Sequence, residues 1–437
     1  MTTVPAAAIP RLQSREDLWR PLRGASRPYI VAVALAALAV AWGLIAWGYQ
    51  IHQGIGVAGI RRPVMWGFYI VNFVFWIGIS HAGTLISAIL RLTHAGWRRP
   101  VTRVAEAITV FALMIGGLFP LIHLGRVWLF YWLVPYPNER GLWPNFRSPL
   151  VWDLTAIFTY LTGSVIYLYL PLIPDLAELS RKTGGWRARL YGLLCLGWTG
   201  SDRQWRALER AMKLMAGIIL AVAVSVHTVV AWDFAMSLAP TWHSTIFGPY
   251  FVVGAIFSGI AALLLVMAIA RKALRLESYL QPMHFENLSR LLVLMSLLWF
   301  YFTVAENLTV WYGNEPQEMS VFGARVRGPY APYFWVMVLC NFVVPFVLLG
   351  VRRLRSIRTA TISAVAVLVG MWLERYLIIV PTLATPRLAA AWGSYSPTWV
   401  EISITSATFA AMTLLYLIFA KLFPIIAIWE YHHVSDG

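Results

Sequence analysis

Three side chains invite a chemical reading. His123 and Arg126 lie inside GGLFPLIHLGRVWLFYW, an almost wholly apolar stretch from Gly116 to Trp132, and Asp153 lies just downstream in RSPLVWDLTAIF. An imidazole titrates near neutral pH. A carboxylate on a facing helix makes it a proton-accepting couple. Arg126, three residues from His123, would share its helix face. There a guanidinium would bias the carboxyl or stabilise an anion, although snorkelling to a membrane surface explains it equally well. Trp128, Trp152 and Phe146 would wall a planar ring.

The chain that must position these groups has 437 residues, of which 59% are hydrophobic and only 12% charged. Soluble domains carry about 25% charged residues. A mean hydropathy of +0.67 and 22 Trp describe an all-α polytopic membrane protein with aromatic interfaces. The net charge of +16 does not mark a nucleic-acid face, because the Arg and Lys cluster in short loops between apolar runs. Two cysteines, Cys195 and Cys340, cannot ligate a four-cysteine iron–sulfur cluster, and no zinc pattern occurs. A redox centre would therefore belong to a partner, a diffusible quinone or a haem. Met1 to Arg27 is polar and Arg-rich and does not read as a secretory signal.

Apolar runs of about 20 residues predict ten transmembrane helices, at 29–49, 66–90, 104–132, 150–174, 213–238, 246–270, 290–313, 330–350, 359–381 and 400–426. The N-terminal tail (1–28) and the loops at 91–103, 175–212, 271–289 and 351–358 hold most of the Arg and Lys. The positive-inside rule then puts both termini in the cytoplasm of a bacterial inner membrane. His123 falls roughly 28 Å along the third span, near the outer surface. Asp153, early in the returning span, falls at the same depth. The intervening YWLVPYPNERGLWPNFRSP reads as an ordered outer cap. The loop 175–212 reads as an amphipathic interfacial segment.

An internal repeat is visible. At a shift of 181, Gly67, Tyr69, Gly78 and Ile79 fall on Gly248, Tyr250, Gly259 and Ile260; at 183, Trp128, Pro149 and Trp152 fall on Trp311, Pro332 and Trp335. The chain thus reads as two parallel-repeat four-helix bundles, 66–238 and 246–381, plus the helix 29–49 and a last helix with its tail, 400–437. Where the first copy has His123, Arg126 and Asp153, the second has Glu306, Thr309 and Val336. Scaffold residues repeat and the ionisable set does not, so the site would lie in the first copy.

WGFYIVNFVFWIGISHAGTLISAIL, GGLFPLIHLGRVW with its PYPN, and WPNFRSPLVWDLTA resemble the NrfD/PsrC family of membrane subunits of quinone-linked redox complexes. The tenth span favours the branch of the quinol-oxidising subunit of alternative complex III, ActC. The resemblance covers essentially the whole chain. It implies a quinol, menaquinol or ubiquinol, held near the periplasmic face by His123 and Asp153. It implies an extrinsic iron–sulfur protein, multihaem cytochrome c subunits and a second NrfD-like membrane subunit as partners, with lipid around them. Neither haem nor iron–sulfur cluster is expected in this chain itself.

Other ionisable residues within the spans are functional candidates by default. His81, with Thr84 and Ser87 below it, together with His227, Asp233, Glu306, Glu374 and Arg375, would supply proton half-paths. Cross-helix packing accounts for them equally well. Glu106, Asp175 and Lys213 are explained by placement at the cytoplasmic interface. Three rival readings remain: a haem-bearing cytochrome b, disfavoured by unpaired His; an ion or solute transporter, disfavoured by the lack of matched broken helices; and a non-catalytic membrane anchor.

Overall fold

In the computed structural model, which describes residues 16–134 and 148–431, ten helices are long and apolar enough to cross a membrane. An amphipathic helix α1 (Glu16–Arg23) leads into the first span, α2 (Arg27–Gln53). The second span is α3 (Phe68–Leu92) and the third is α4 (Thr102–Gly116) continued by the short α5 (Phe119–His123). The fourth, α6 (Pro149–Tyr169), passes through Pro171 and Pro174 into α7 (Ile173–Lys182). A surface helix α8 (Gly185–Leu194) precedes the fifth span, α9 (Asp202–Ala235). Next come α10 (Phe247–Ala273), α11 (Pro282–Gly313) and the loop helix α12 (Pro316–Val326). The eighth span is divided into α13 (Ala331–Val338) and α14 (Val344–Gly350), and α15 (Ile357–Ala384) and α16 (Trp399–Leu422) complete the set.

Local chemistry sets these boundaries. Ser26, Ser201 and Ser356 cap the starts of α2, α9 and α15 by accepting from backbone N–H groups. Pro345 cannot donate to the Asn341 carbonyl four residues back. A π-helical turn, Leu339–Val343, absorbs the irregularity, and Ser296 Oγ of α11 donates to that freed carbonyl at 2.6 Å.

α3 is the centre. Every described residue from Val71 to Ala88 is buried. α4 and α9 flank it, α6 packs on both, and α10 packs on its other side. α10 in turn carries α11 and α15, with α13 and α14 against α15. α2 and α16 pair outside this assembly and stay largely exposed. A side chain at Gly83 would meet the Ala105 carbonyl at 1.9 Å, so glycine there lets α3 and α4 touch backbone to backbone.

The third span departs from the expected 104–132 helix. α4 ends at Gly116–Gly117, and Pro120 removes a donor from the next turn. Gly125 then takes a φ of +69°, and Val127–Leu133 continues as a 3₁₀ helix. His123 and Arg126 therefore do not share a helix face. Residues 135–147, including Phe146 and most of the expected outer cap, lie outside the described residues.

Glu106 and Asp175 lie toward the basic end, but they are buried within the protein rather than exposed there. Asp175 pairs with Arg103 (Nη1–Oδ2 2.5 Å) and accepts the backbone N–H groups of Ile428 and Trp429 at 3.2 and 3.1 Å. Arg103 also donates to the carbonyls of Pro171 and Pro424 at 2.7 and 3.1 Å. Glu430 accepts from Arg98 at 2.8 Å. Together these bonds strap residues 423–431 over the basic face. Removing one partner strands a buried charge. Asp175→Ala should thus cost about 3–5 kcal/mol, read as a lower thermal unfolding midpoint with faster proteolysis after Leu422. An unchanged midpoint would show that the strap is held by other means.

Candidate functional site

A cavity of about 800 Å³ runs from the side opposite the basic loops into the depth of the bundle, between α3, α4–α5, α6, α9, α2 and α16. Volumes of this order are typical of small-molecule sites. Its walls are nearly all apolar, with Trp66, Phe73, Phe158 and Phe234 supplying ring surface. Phe158, Leu150 and Leu118 line it while also being exposed on the outer surface of the bundle. The cavity therefore opens sideways, toward lipid.

Three ionisable side chains enter it: His123 from the end of α5, Asp153 from the first turns of α6 and Asp233 from the last turn of α9. The two carboxyls line the same chamber. His123 Nδ1, Asp153 Oδ1 and Asp233 Oδ1 are each buried without a hydrogen-bond partner. Buried polar atoms are normally paired. Three orphaned ones facing a single apolar chamber are suited to a ligand that brings hydroxyl or carbonyl groups on an apolar ring. Two carboxyls in one apolar chamber also form a place where one proton can be held between them.

Neighbouring elements fix this geometry. Gln50 of α2 donates to the Ile122 carbonyl at 2.9 Å, and Tyr69 of α3 donates to Gln50 Oε1. The pair pins the turn that carries His123. A Cβ on Gly125 would come within 3.1 Å of Ile55, so the tight turn after His123 needs glycine. At the start of α3, the Phe68 N–H donates to Tyr395 Oη at 2.9 Å, and Tyr395 donates to Glu401 at 2.6 Å. Burial and the neighbouring Glu401 carboxylate push the Tyr395 phenol up, so it remains a donor.

Not every expected residue reaches the cavity. Arg126 is exposed and does not line it. Trp128 is 60% exposed on the outer surface, and Trp152 stands edge-on to Trp232 at 6.5 Å. The break after Gly116 explains both Arg126 and Trp128, since it turns the following residues away from the α4 axis. Phe130 and Trp66 supply the aromatic wall instead. Asp233 joins the site rather than a separate path. Its signal was present as an acidic residue at the depth of Asp153, but nothing local said that α9 packs on α6. Gln50, a buried amide near the end of the first span, was overlooked.

The other buried polar residues form a column along α3. Ser87 donates to Glu106 at 2.5 Å and Thr84 donates to Thr109 at 3.0 Å. His81 has one ring nitrogen 2.7 Å from the Ile77 carbonyl and the other 2.8 Å from the Ala223 carbonyl. A neutral imidazole can donate to only one of them. The His227 ring stands 4.4 Å from that of His81, centroid to centroid. Further on, Arg375 lies 4.9 Å over the Phe251 ring and pairs with Glu374 at 2.8 Å. Glu374 accepts from Trp299 Nε1 at 2.6 Å. Glu306 accepts from Ser244 at 3.1 Å and borders a small void of about 30 Å³ with Tyr250, Thr303, Arg325 and Glu374.

The polysulphide reductase NrfD family matches residues 56–387. A putative dimethyl sulfoxide reductase membrane subunit of Halobacterium salinarum is 28% identical over 397 residues, covering 85% of this chain and 86% of its own. A selenate reductase subunit of Mesobacillus selenatarsenatis is 23% identical over 90% of this chain and 94% of its own. An Hdr-like menaquinol oxidoreductase integral membrane subunit of Archaeoglobus fulgidus is 22% identical over 93% and 96%.

Dicyclohexylcarbodiimide, an apolar reagent for protonated carboxyls, tests the shared-proton geometry. Peptide mass mapping should find the adduct on Asp153 or Asp233 and none on the enclosed Glu374. Leu154→Trp, narrowing the cavity, should suppress it. Labelling of neither aspartate would sink the idea that the pair holds a proton within reach of lipid.

Proposed function

This chain belongs to the polysulphide reductase NrfD family, and from that premise we propose that it is the quinone-interacting membrane subunit of an electron-transfer complex, oxidising quinol in the cavity of His123, Asp153 and Asp233. One observation carries the reading: three unpartnered ionisable groups meet in an apolar chamber of about 800 Å³ that opens toward lipid. A quinone head group carries two polar oxygens on a planar ring, and its apolar tail would extend through the lateral opening. The name of the Archaeoglobus relative makes menaquinol the natural candidate, with ubiquinol the other.

When bound, a quinol supplies two electrons and two protons. His123 Nδ1 serves as hydrogen-bond partner to one hydroxyl and takes its proton. The Asp153–Asp233 pair, lining the same chamber, receives the second proton. Trp66 and Phe234 hold the ring between apolar surfaces and keep water away. The electrons pass to an extrinsic iron–sulfur partner and on to multihaem cytochrome c subunits, on the face opposite the basic loops. That face is the periplasmic one under the positive-inside rule. In this reading the chain is of the alternative complex III type, beside a second NrfD-like membrane subunit. Its first four-helix unit carries the site and its second does not. Thr84, Ser87, His81 and His227, continued by Arg375, Glu374 and Glu306, form the candidate proton path. His81, flanked by two carbonyls, can hold a proton toward either side.

Asp153→Asn and His123→Ala in the assembled complex should each lower quinol:acceptor turnover by about 10²–10⁴-fold, with the other subunits and their cofactors intact. Arg126→Gln and Trp128→Phe should stay near the parent rate. If turnover survives both site substitutions, quinol is oxidised elsewhere and this chain serves as a membrane anchor.

A further inference from the structure

A second cavity, of about 670 Å³, lies between α3, α10, α15 and α16. It is chemically unlike the first. Every polar side chain in its lining is already answered within the protein. Trp76 Nε1 donates to Thr408 at 3.1 Å, and Trp372 Nε1 donates to Asn72 at 3.0 Å. Thr405 accepts from Asn72 at 2.9 Å, Thr413 donates to the Phe409 carbonyl at 3.0 Å, and Tyr416 donates to the Val104 carbonyl. The groove therefore offers its occupant hydrocarbon contact alone. Ile269, Val369 and Phe409 line it and are also substantially exposed, so it is open to the bilayer along its length.

Its length matches one kind of occupant. Along α10 it runs from Ala262 to Leu274, about 18 Å at the helical rise. That is the depth of about one leaflet of a ~30 Å hydrocarbon core. An extended acyl chain fits that length.

The groove ends at the basic face, and its rim is cationic. Arg20 of α1 donates to the carbonyl of Leu274, the residue that closes the groove, at 3.3 Å. Lys272 and Arg275 are exposed on either side of Ala273 and Leu274. Leu18, Trp19 and Leu22 are buried, so α1 is seated firmly with Arg20 held at the mouth. Lys421 is not available, since its ammonium donates to the carbonyls of Pro21 and Gly24. Basic pockets between spans, on the face that meets anionic lipid, bind phospholipid head groups.

We propose that this groove seats an acyl chain of an anionic phospholipid from the leaflet at the basic face, with its phosphate held by Arg20, Lys272 and Arg275. The site is separate from the cavity of His123 and Asp153, and it does not depend on what that cavity binds.

Native mass spectrometry of the assembled complex in detergent tests this, with dioleoylphosphatidylglycerol or dioleoylphosphatidylcholine added. The parent complex should retain the glycerol lipid preferentially. Arg20→Gln and Lys272→Gln should each weaken that retention by about fivefold, leaving the weak choline-lipid binding as it was. Arg206→Gln with Arg210→Gln, exposed on α9 away from the groove, should change nothing. Leu265→Trp, filling the groove at mid-depth, should remove the bound lipid whatever its head group. Equal retention of the two lipids by the parent complex would overturn the proposal. So would a glycerol lipid that persists in both charge variants, an equal loss in the α9 variant, or a quinone mass retained in place of lipid. The charge variants lie at the surface and keep the test valid should Leu265→Trp fail to assemble.

Discussion

A helix surrounded by protein on every side, at a depth where water is absent, must have each of its polar atoms met by a neighbour. α3 is that helix, and the rest of the molecule is arranged around its needs. Asn72 is met by Thr405 of α16 and Trp372 of α15. His81 reaches the Ala223 carbonyl of α9, and Thr84 and Ser87 reach Thr109 and Glu106 of α4. At its basic-face end, Arg91 lies 3.8 Å from Glu430 of the terminal strap. Each bond ties α3 to a different element. Where bonds are few, close approach replaces them, as at Gly83 against Ala105.

The same rule separates the two large cavities. In the groove between α10, α15 and α16, polar side chains are satisfied, so only hydrocarbon is recognised. In the chamber between α5, α6 and α9, three polar atoms are left without protein partners, which costs free energy. Apolar walls make both chambers accessible from lipid. Only the unanswered polar atoms make one of them a place for chemistry.

Charge burial follows a related logic at the basic face. Arg103 and Asp175 are both enclosed, and their ion pair is supplemented by backbone carbonyls and N–H groups until most of their capacity is used. Such a pair adds little to stability over an apolar equivalent, but it does specify which segment docks there. Here it selects the 423–431 strap. Glu374 and Arg375, adjacent in sequence, are arranged less completely. Arg375 finds its remaining contact on the face of Phe251.

Several features of this protein are local and could be read from residue order. Ten apolar runs of spanning length are legible because lipid imposes the same test on each segment separately. The common depth of His123 and Asp153 is legible because helix rise is constant. Gly116, Gly117, Pro120 and Gly125 were visible too, but whether glycines break a helix depends on what packs against it, and the expected helix ran on to residue 132. Lateral relations were decided only by the tertiary structure. Hydropathy says how deep a residue lies and nothing about which helix stands beside it. Asp233 therefore entered the site unannounced, Arg126 and Trp128 left it, and Glu106 and Asp175 moved from an assumed wet interface to a dry one. Depth is a property of one helix, whereas a site is a property of several, and their packing is set by side-chain contacts that no single segment contains.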